Sequence, residues 1–117
     1  MADIIIYHNP RCGKSREALA ILQKKDLPYS VRLYLADPLS KAELKALLRK
    51  LRITASALVR TNEDLYKTVY KGEDLSEPDW IAILSENPIL IERPIIGKGA
   101  KALIARPPKK IYELLIS

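Results

Sequence analysis

The stretch from Ile4 to Arg16 reads Ile-Ile-Ile-Tyr-His-Asn-Pro-Arg-Cys-Gly-Lys-Ser-Arg, and its conformational preference changes partway along. Ile4 to Tyr7 is an unbroken β-branched and aromatic run, the composition of a fully buried strand. Pro10 has no N–H to give a ladder and biases Asn9 away from helix, so the strand must stop there. From Lys14 the period becomes helical. Ala18, Leu19, Ile21 and Leu22 recur on one face, with Lys24 and Lys25 in the last turn. Cys12, the only cysteine, therefore falls in a strand-to-helix turn, at or just before a helix N-terminus. A sulfur there faces unpaired backbone N–H groups and the positive end of the helix dipole, with Arg11, Lys14 and Arg16 close in sequence. Both effects favour the thiolate, the nucleophilic form. A structural cysteine belongs on an apolar face, whereas Cys12 sits among Pro10, Arg11, Gly13, Lys14 and Ser15. We read it as reactive.

Two consequences follow from spacing. The motif is Cys-x-x-Ser: Ser15 stands where a dithiol oxidoreductase keeps its resolving thiol. With no second cysteine, any adduct at Cys12 must be resolved by an external thiol. A cysteine phosphatase loop needs Cys-x5-Arg, and the position six after Cys12 is Ala18. An anion cradle must therefore draw its arginines from elsewhere in the chain.

The rest of the chain supplies a frame for this turn. Asp26-Leu27-Pro28 is a turn, and Tyr29 to Leu35 alternates as a second strand, with Tyr29, Val31, Leu33 and Leu35 on one face. Strand, helix, strand at this spacing is a βαβ unit with parallel strands. Ser40-Lys-Ala-Glu43 is a capping box, opening a helix whose apolar stripe is Leu44, Leu47, Leu48 and Leu51. Thr61 to Asp64 starts a short helix carrying Leu65 and Val69, and Ser76 to Asp79 starts another with Trp80, Ile83 and Leu84 inward. Residues 40–87 thus form a helical block, expected as an insertion in a single domain spanning 1–117. Pro94-Ile95-Ile96 and Ala102-Leu103-Ile104 flank Gly97-Lys98-Gly99 as a hairpin, and Pro107-Pro108 starts a final helix with Ile111, Leu114 and Leu115 inward. The sum is a mixed four-stranded sheet with helices on its faces; the pattern alone allows several α/β or α+β arrangements.

Composition narrows the function classes. One cysteine excludes a disulfide framework and points to a reducing compartment. The start of the chain lacks the basic region and long apolar core of a signal peptide, and no apolar run approaches a membrane span, so a cytoplasmic protein without membrane partners is expected. The net charge of +6 arises from 20 basic and 14 acidic residues spread along the chain rather than massed. That distribution predicts a solvated basic surface that attracts small anions, not a nucleic-acid binder. No His, Cys, Asp and Glu cluster has metal-ligand spacing, and no loop matches a nucleotide-binding motif.

His8-Asn9-Pro-x-Cys12-x-x-Ser15-Arg16, followed by Ala-Leu-Val-Arg60-x-Asn-Glu, Arg93-Pro94-Ile and Arg106-Pro107, resembles the glutaredoxin-coupled bacterial arsenate reductases over nearly the whole chain. The resemblance implies a thioredoxin-like fold with a helical insertion between the second and third strands. It implies reduction of arsenate to arsenite with glutathione as co-substrate and glutaredoxin as partner, and no bound cofactor. By position, Cys12 is the nucleophile with His8 and Ser15 beside it, and Arg60, Arg93 and Arg106 bind the oxyanion. The resemblance also places Pro94 as the cis-proline before the third strand. Arsenate is a tetrahedral anion, so planar arginine forks suit it better than lysine.

His8 has two readings: it orients charge near Cys12, or it only closes the strand end. Ser15 has two as well, a donor to the thiolate or a hydroxyl that satisfies a backbone group. Ala105 stands before the last arginine, where related sequences often have glycine, and the chain stops soon after its final helix. Two further functions share the resemblance: a glutathione-dependent thiol oxidoreductase with another oxidised substrate, and an Spx-like regulator that binds RNA polymerase. Spx-like proteins usually carry Cys-x-x-Cys, and Ser15 departs from that.

Overall fold

Strand β1 (Ile4–Tyr7) takes the inside of the sheet because three isoleucines and a tyrosine can be buried on both faces without stranding a polar side chain. The structure is a computed structural model that describes residues 4–115. The other strands are β2 (Tyr29–Arg32), β3 (Ile95–Lys98) and β4 (Lys101–Ile104), in the order β2-β1-β3-β4. β1 and β2 are parallel, with Ile6 opposite Val31; β3 runs antiparallel to both β1 and β4, with Ile6 opposite Ile96. Helix α1 (Gly13–Lys24) makes the crossover from β1 to β2, and α4 (Ile111–Leu115) ends the described chain. Ile4, Ile6 and Ile96 pack with Ala18 and Leu22 of α1, with Ala105, and with Ile111 and Leu114 of α4. This is the expected mixed sheet flanked by helices, in the thioredoxin-like arrangement.

The chain divides into two compact units. The first runs through Asp37 and resumes at Arg93; the second is Pro38–Glu92, inserted in sequence between β2 and β3. Within the second, α2 (Lys41–Leu51) opens on the expected reciprocal cap: Glu43 N–H donates to Ser40 Oγ at 3.1 Å and Ser40 N–H to Glu43 Oε1 at 3.0 Å. α3 (Glu77–Glu86) opens in the same way on Ser76 and Asp79, and packs against α2. The unit extends past residue 87 through a 3-10 turn at Pro88–Leu90 and an isolated antiparallel bridge between Val59 and Ile91.

Several expectations are corrected. β2 stops at Arg32 rather than Leu35, because a turn follows in which Ala36 and Asp37 N–H groups both donate to Leu33 O. On this edge strand Val31 is exposed, and in the turn that follows Leu33 and Leu35 are exposed while Tyr34 is buried. The segment after Thr61 becomes a π-helical turn at Tyr66–Tyr70, and Val69 is exposed. Aromatic contact sets that turn: the Tyr66 and Tyr70 rings lie 6.4 and 5.8 Å from Trp80. On α3, Ile81 rather than Ile83 is buried with Trp80 and Leu84.

Gly97 belongs to β3, not to the loop. A Cβ there would come within 3.1 Å of Ile5 Cγ2, so the missing side chain is a matter of strand packing. The hairpin turns instead at Gly99, with φ 59°, and Ala100. The last helix is preceded by a 3-10 turn at Pro108–Lys110, and Ile111 and Leu114 are buried as expected.

Ile6 is fully buried and Val69 half exposed, so truncation should separate them. Ile6→Ala is expected to cost about 2–5 kcal/mol, and Val69→Ala to stay within about 0.5 kcal/mol of the parent, measured as shifts of the urea unfolding midpoint.

Candidate active site

Because β1, β2 and β4 run in one direction and β3 in the other, one end of the first unit's sheet collects four chain segments. They are the exit of β1 at His8, the exit of β2, the entry of β3 at Pro94, and the exit of β4 at Ala105. The ladders continue one step past the strands there: His8 N–H donates to Arg32 O at 2.9 Å and Ala105 N–H to Pro94 O at 2.8 Å. Carboxyl ends of parallel strands are where α/β sheets place ligands.

Cys12 is the N-cap residue of α1, in extended conformation, and it is 8% exposed. Its own N–H donates to Asn9 O at 3.0 Å and its carbonyl accepts the first helical bond from Arg16 N–H at 3.0 Å. Its sulfur makes no capping hydrogen bond, and no acidic side chain lies in the first turn. The N–H groups of that turn have no partners within the helix, so the helix terminus is open to an anion.

The loop before Cys12 is held by a buried hydroxyl. Ser15 is fully buried, and its Oγ accepts from Asn9 N–H at 3.0 Å and lies 2.7 Å from His8 Nδ1. A buried hydroxyl proton requires an acceptor, and the imidazole nitrogen is the one within reach. We therefore assign His8 Nδ1 as acceptor and Nε2 as the protonated nitrogen. Of the two readings of Ser15, these bonds are those of a hydroxyl that satisfies the backbone. Burial, and secondarily the charge of Arg16, lower the His8 pKa below 6.5, which agrees with a neutral ring accepting from Ser15.

Asn9 and Arg16 also belong to this site, although Asn9-Pro10 had signalled only a strand break. Asn9 Oδ1 accepts from Arg11 N–H at 3.0 Å, the local turn that asparagine favours two residues ahead. Arg16 Nη1 donates to Pro10 O at 2.9 Å. Together they close the loop over the start of α1.

The Arg93–Pro94 bond is cis, at the position expected, and Arg106–Pro107 is cis as well, which no sequence signal had marked. Arg106 Nη1 donates to Arg93 O at 3.2 Å. Arg93 Nε is buried and has no hydrogen-bond partner. Arg60 lies in the second unit, where its guanidinium pairs with Glu63 and, at 3.3 Å, with Glu92, and its N–H donates to Leu90 O at 2.7 Å. The first unit thus gathers Cys12, His8, Ser15, Pro94, Arg93 and Arg106 at one end of its sheet; Arg60 is held by carboxylates of its own unit. Among the described residues, no group of three His, Cys, Asp or Glu comes together to hold a metal ion.

The His8 environment predicts an acid-sensitive site. The ring takes a proton more readily in the unfolded chain than in the folded one, so stability is complete above pH 6.5 and falls as pH drops toward and through the lowered folded value. His8→Ala should flatten that decline, read from urea midpoints across the acid range. Imidazole NMR should report the Nε2–H tautomer in the parent and lose that preference in Ser15→Ala.

The family model described as the ArsC family matches residues 7–114. The chain is 43% identical to the arsenate reductase of Haemophilus influenzae over 97% of its own length and 99% of that protein's. It is 44% identical to the uncharacterized protein YfgD of Escherichia coli, with 97% of each chain covered. Among solved structures, the arsenate reductase from Vibrio cholerae superimposes with a TM-score of 0.89 at 40% identity, covering 94% of this chain and 95% of that one. With the match reaching from the end of β1 to α4, the chain belongs to the ArsC family.

Proposed function

We propose that the chain reduces arsenate to arsenite, with Cys12 as nucleophile, glutathione as co-substrate and glutaredoxin as the protein that restores the thiol. The observation that carries this reading is the buried Arg93 Nε without an acceptor, at the same sheet end as the uncapped helix terminus that holds Cys12. A buried guanidinium N–H without a partner is costly, and an anion oxygen would satisfy it. Relatives named arsenate reductase support the choice of oxyanion.

In the proposed cycle the Cys12 thiolate attacks arsenic(V) and displaces a hydroxide, while Arg93, Arg106 and the first-turn N–H groups of α1 take up charge on the remaining oxygens. The glutathione thiolate then attacks the Cys12 sulfur; the sulfur–arsenic bond breaks with its electron pair going to arsenic, the thiol proton ends on an arsenic-bound oxygen, and arsenic(V) departs as arsenite(III), leaving a Cys12–glutathione mixed disulfide. Glutaredoxin thiol then attacks the glutathione sulfur, and Cys12 leaves as thiolate. His8 and Ser15 act on this cycle by fixing the loop that presents Cys12. A glutathione-dependent cycle places the chain in a reducing compartment, the cytoplasm.

The test is arsenate-dependent NADPH oxidation coupled through glutathione reductase, glutathione and glutaredoxin. The parent should turn over, and Cys12→Ser should lose all activity while keeping its fold. Stopping the reaction before glutaredoxin is added should leave one glutathione on Cys12 by mass spectrometry; turnover with a thioredoxin system and no glutathione would defeat the monothiol cycle.

Oxyanion binding is tested separately, without turnover. Arsenate or sulfate should slow alkylation of Cys12, and Arg93→Ala and Arg106→Ala should each weaken that protection. Arg93→Lys should weaken it too, since an ammonium cannot reproduce the fork. Arg60→Ala examines the third arginine of the resemblance in the same assay, with weakened protection expected.

A further inference from the structure

A groove of about 550 Å³ lies in the second unit, against α2 and α3, and the proposed chemistry does not use it. Leu48, Ile53, Pro78 and Ile81 give it an apolar lining. Lys45, Arg49 and Arg52 stand along it at the spacing i, i+4, i+7, on one face of α2 and its C-cap, all exposed. One carboxylate borders the groove, that of Glu77, and it is already committed: its two oxygens accept from Ala55 N–H at 2.9 and 3.1 Å. Among the described residues, none of the three cations has an ion-pair partner.

We propose that this groove docks an acidic amphipathic helix of a partner protein, laid along α2. Its carboxylates would face Lys45, Arg49 and Arg52, and its aliphatic side chains would enter between them. Charge spacing decides the class of occupant. At a rise of 1.5 Å per residue the three cations span about 10 Å along α2. A single carboxylate or phosphate would meet one end of that row and leave the other unpaired. A helix presents side chains on one face every turn, about 5.4 Å apart, and so matches the row with acids at its own i, i+4 and i+7 positions. Within the apolar lining Leu48 and Ile81 are recessed, each 5% exposed, while Ile53 is half-buried and Pro78 stands at the exposed rim. A flat anionic bilayer would touch the cations and the rim without reaching Leu48 and Ile81, whereas the ridge of a helix fits a groove. The excess of basic over acidic residues in the whole chain acts in the same direction at longer range.

The probe is a synthetic fluorescein-labelled helical peptide with Glu at i, i+4 and i+7 and Leu on the adjoining stripe, titrated with the full chain and read by anisotropy. Saturable binding is expected, weakening as salt rises. The combined variant Lys45→Glu, Arg49→Glu and Arg52→Glu should bind at least about tenfold more weakly. A peptide with Lys in place of each Glu should then prefer that variant over the parent, with circular dichroism and a cooperative urea transition checking that the variant is folded. Ile53→Asp, which puts a charge in the apolar lining, should weaken the acidic peptide as well. The proposal is overturned if the acidic peptide does not bind, if a scrambled peptide binds equally, or if charge reversal leaves binding unchanged. Binding to phosphatidylglycerol vesicles through the same cations, with the peptide ignored, would assign the surface to a membrane and overturn it too.

Discussion

The double pairing of β1 is the constraint on which the first unit depends. With β2 on one edge and β3 on the other, and Ile4 and Ile6 buried beneath α1 and α4, the strand has no freedom to slide. A slip of one residue would send Ile6 to the opposite face. The end of β1 is therefore a fixed point, and the loop that follows must reach the start of α1 from there. That loop carries His8 at one end and Cys12 at the other. The placement of the sulfur is inherited from strand register rather than chosen by the loop itself.

Within that loop, polar groups take over from apolar packing. Ser15, although on the helix, is fully buried and binds back to Asn9 N–H and His8 Nδ1, so the loop is tied to the first turn of the helix it enters. The His8 ring can serve only while neutral, and burial keeps it so. A chain that needs a sulfur at a helix terminus cannot use that residue as an ordinary side-chain cap, and none is present at Cys12. The stability a cap would contribute is given up, and the first-turn N–H groups are left without a side-chain cap.

Cations are used differently in the two units. Arg93 and Arg106 adjoin each other beside cis-prolines, and Arg93 has a buried N–H that lacks an acceptor. Arg60 is neutralised by Glu63 and Glu92, and the row on α2 is neither neutralised nor buried. Identical residue types thus meet different fates according to what surrounds them. Their positions in the sequence are similar enough, each beside an apolar segment, that local reading cannot sort them.

What the sequence determined by itself was governed by near neighbours along the chain. The β1 run, the helical period from Lys14, the position of Cys12 at the helix start and the capping box at Ser40 depend on residues within a few positions of one another, and all four are found. The order β2-β1-β3-β4, the burial of Tyr34 in place of its aliphatic neighbours, and the aromatic packing of Tyr66 and Tyr70 on Trp80 were decided only by tertiary structure. So was the role of Gly97, whose reason is Ile5 on the neighbouring strand. The same division runs through the candidate site. The place of Cys12 at the helix start was legible from a single turn, whereas the burial of Ser15 against His8 and the meeting of Arg93 with Arg106 rest on contacts between segments. Local conformational preference and capping act over a few residues, but register and burial depend on surfaces that meet only after the chain has folded.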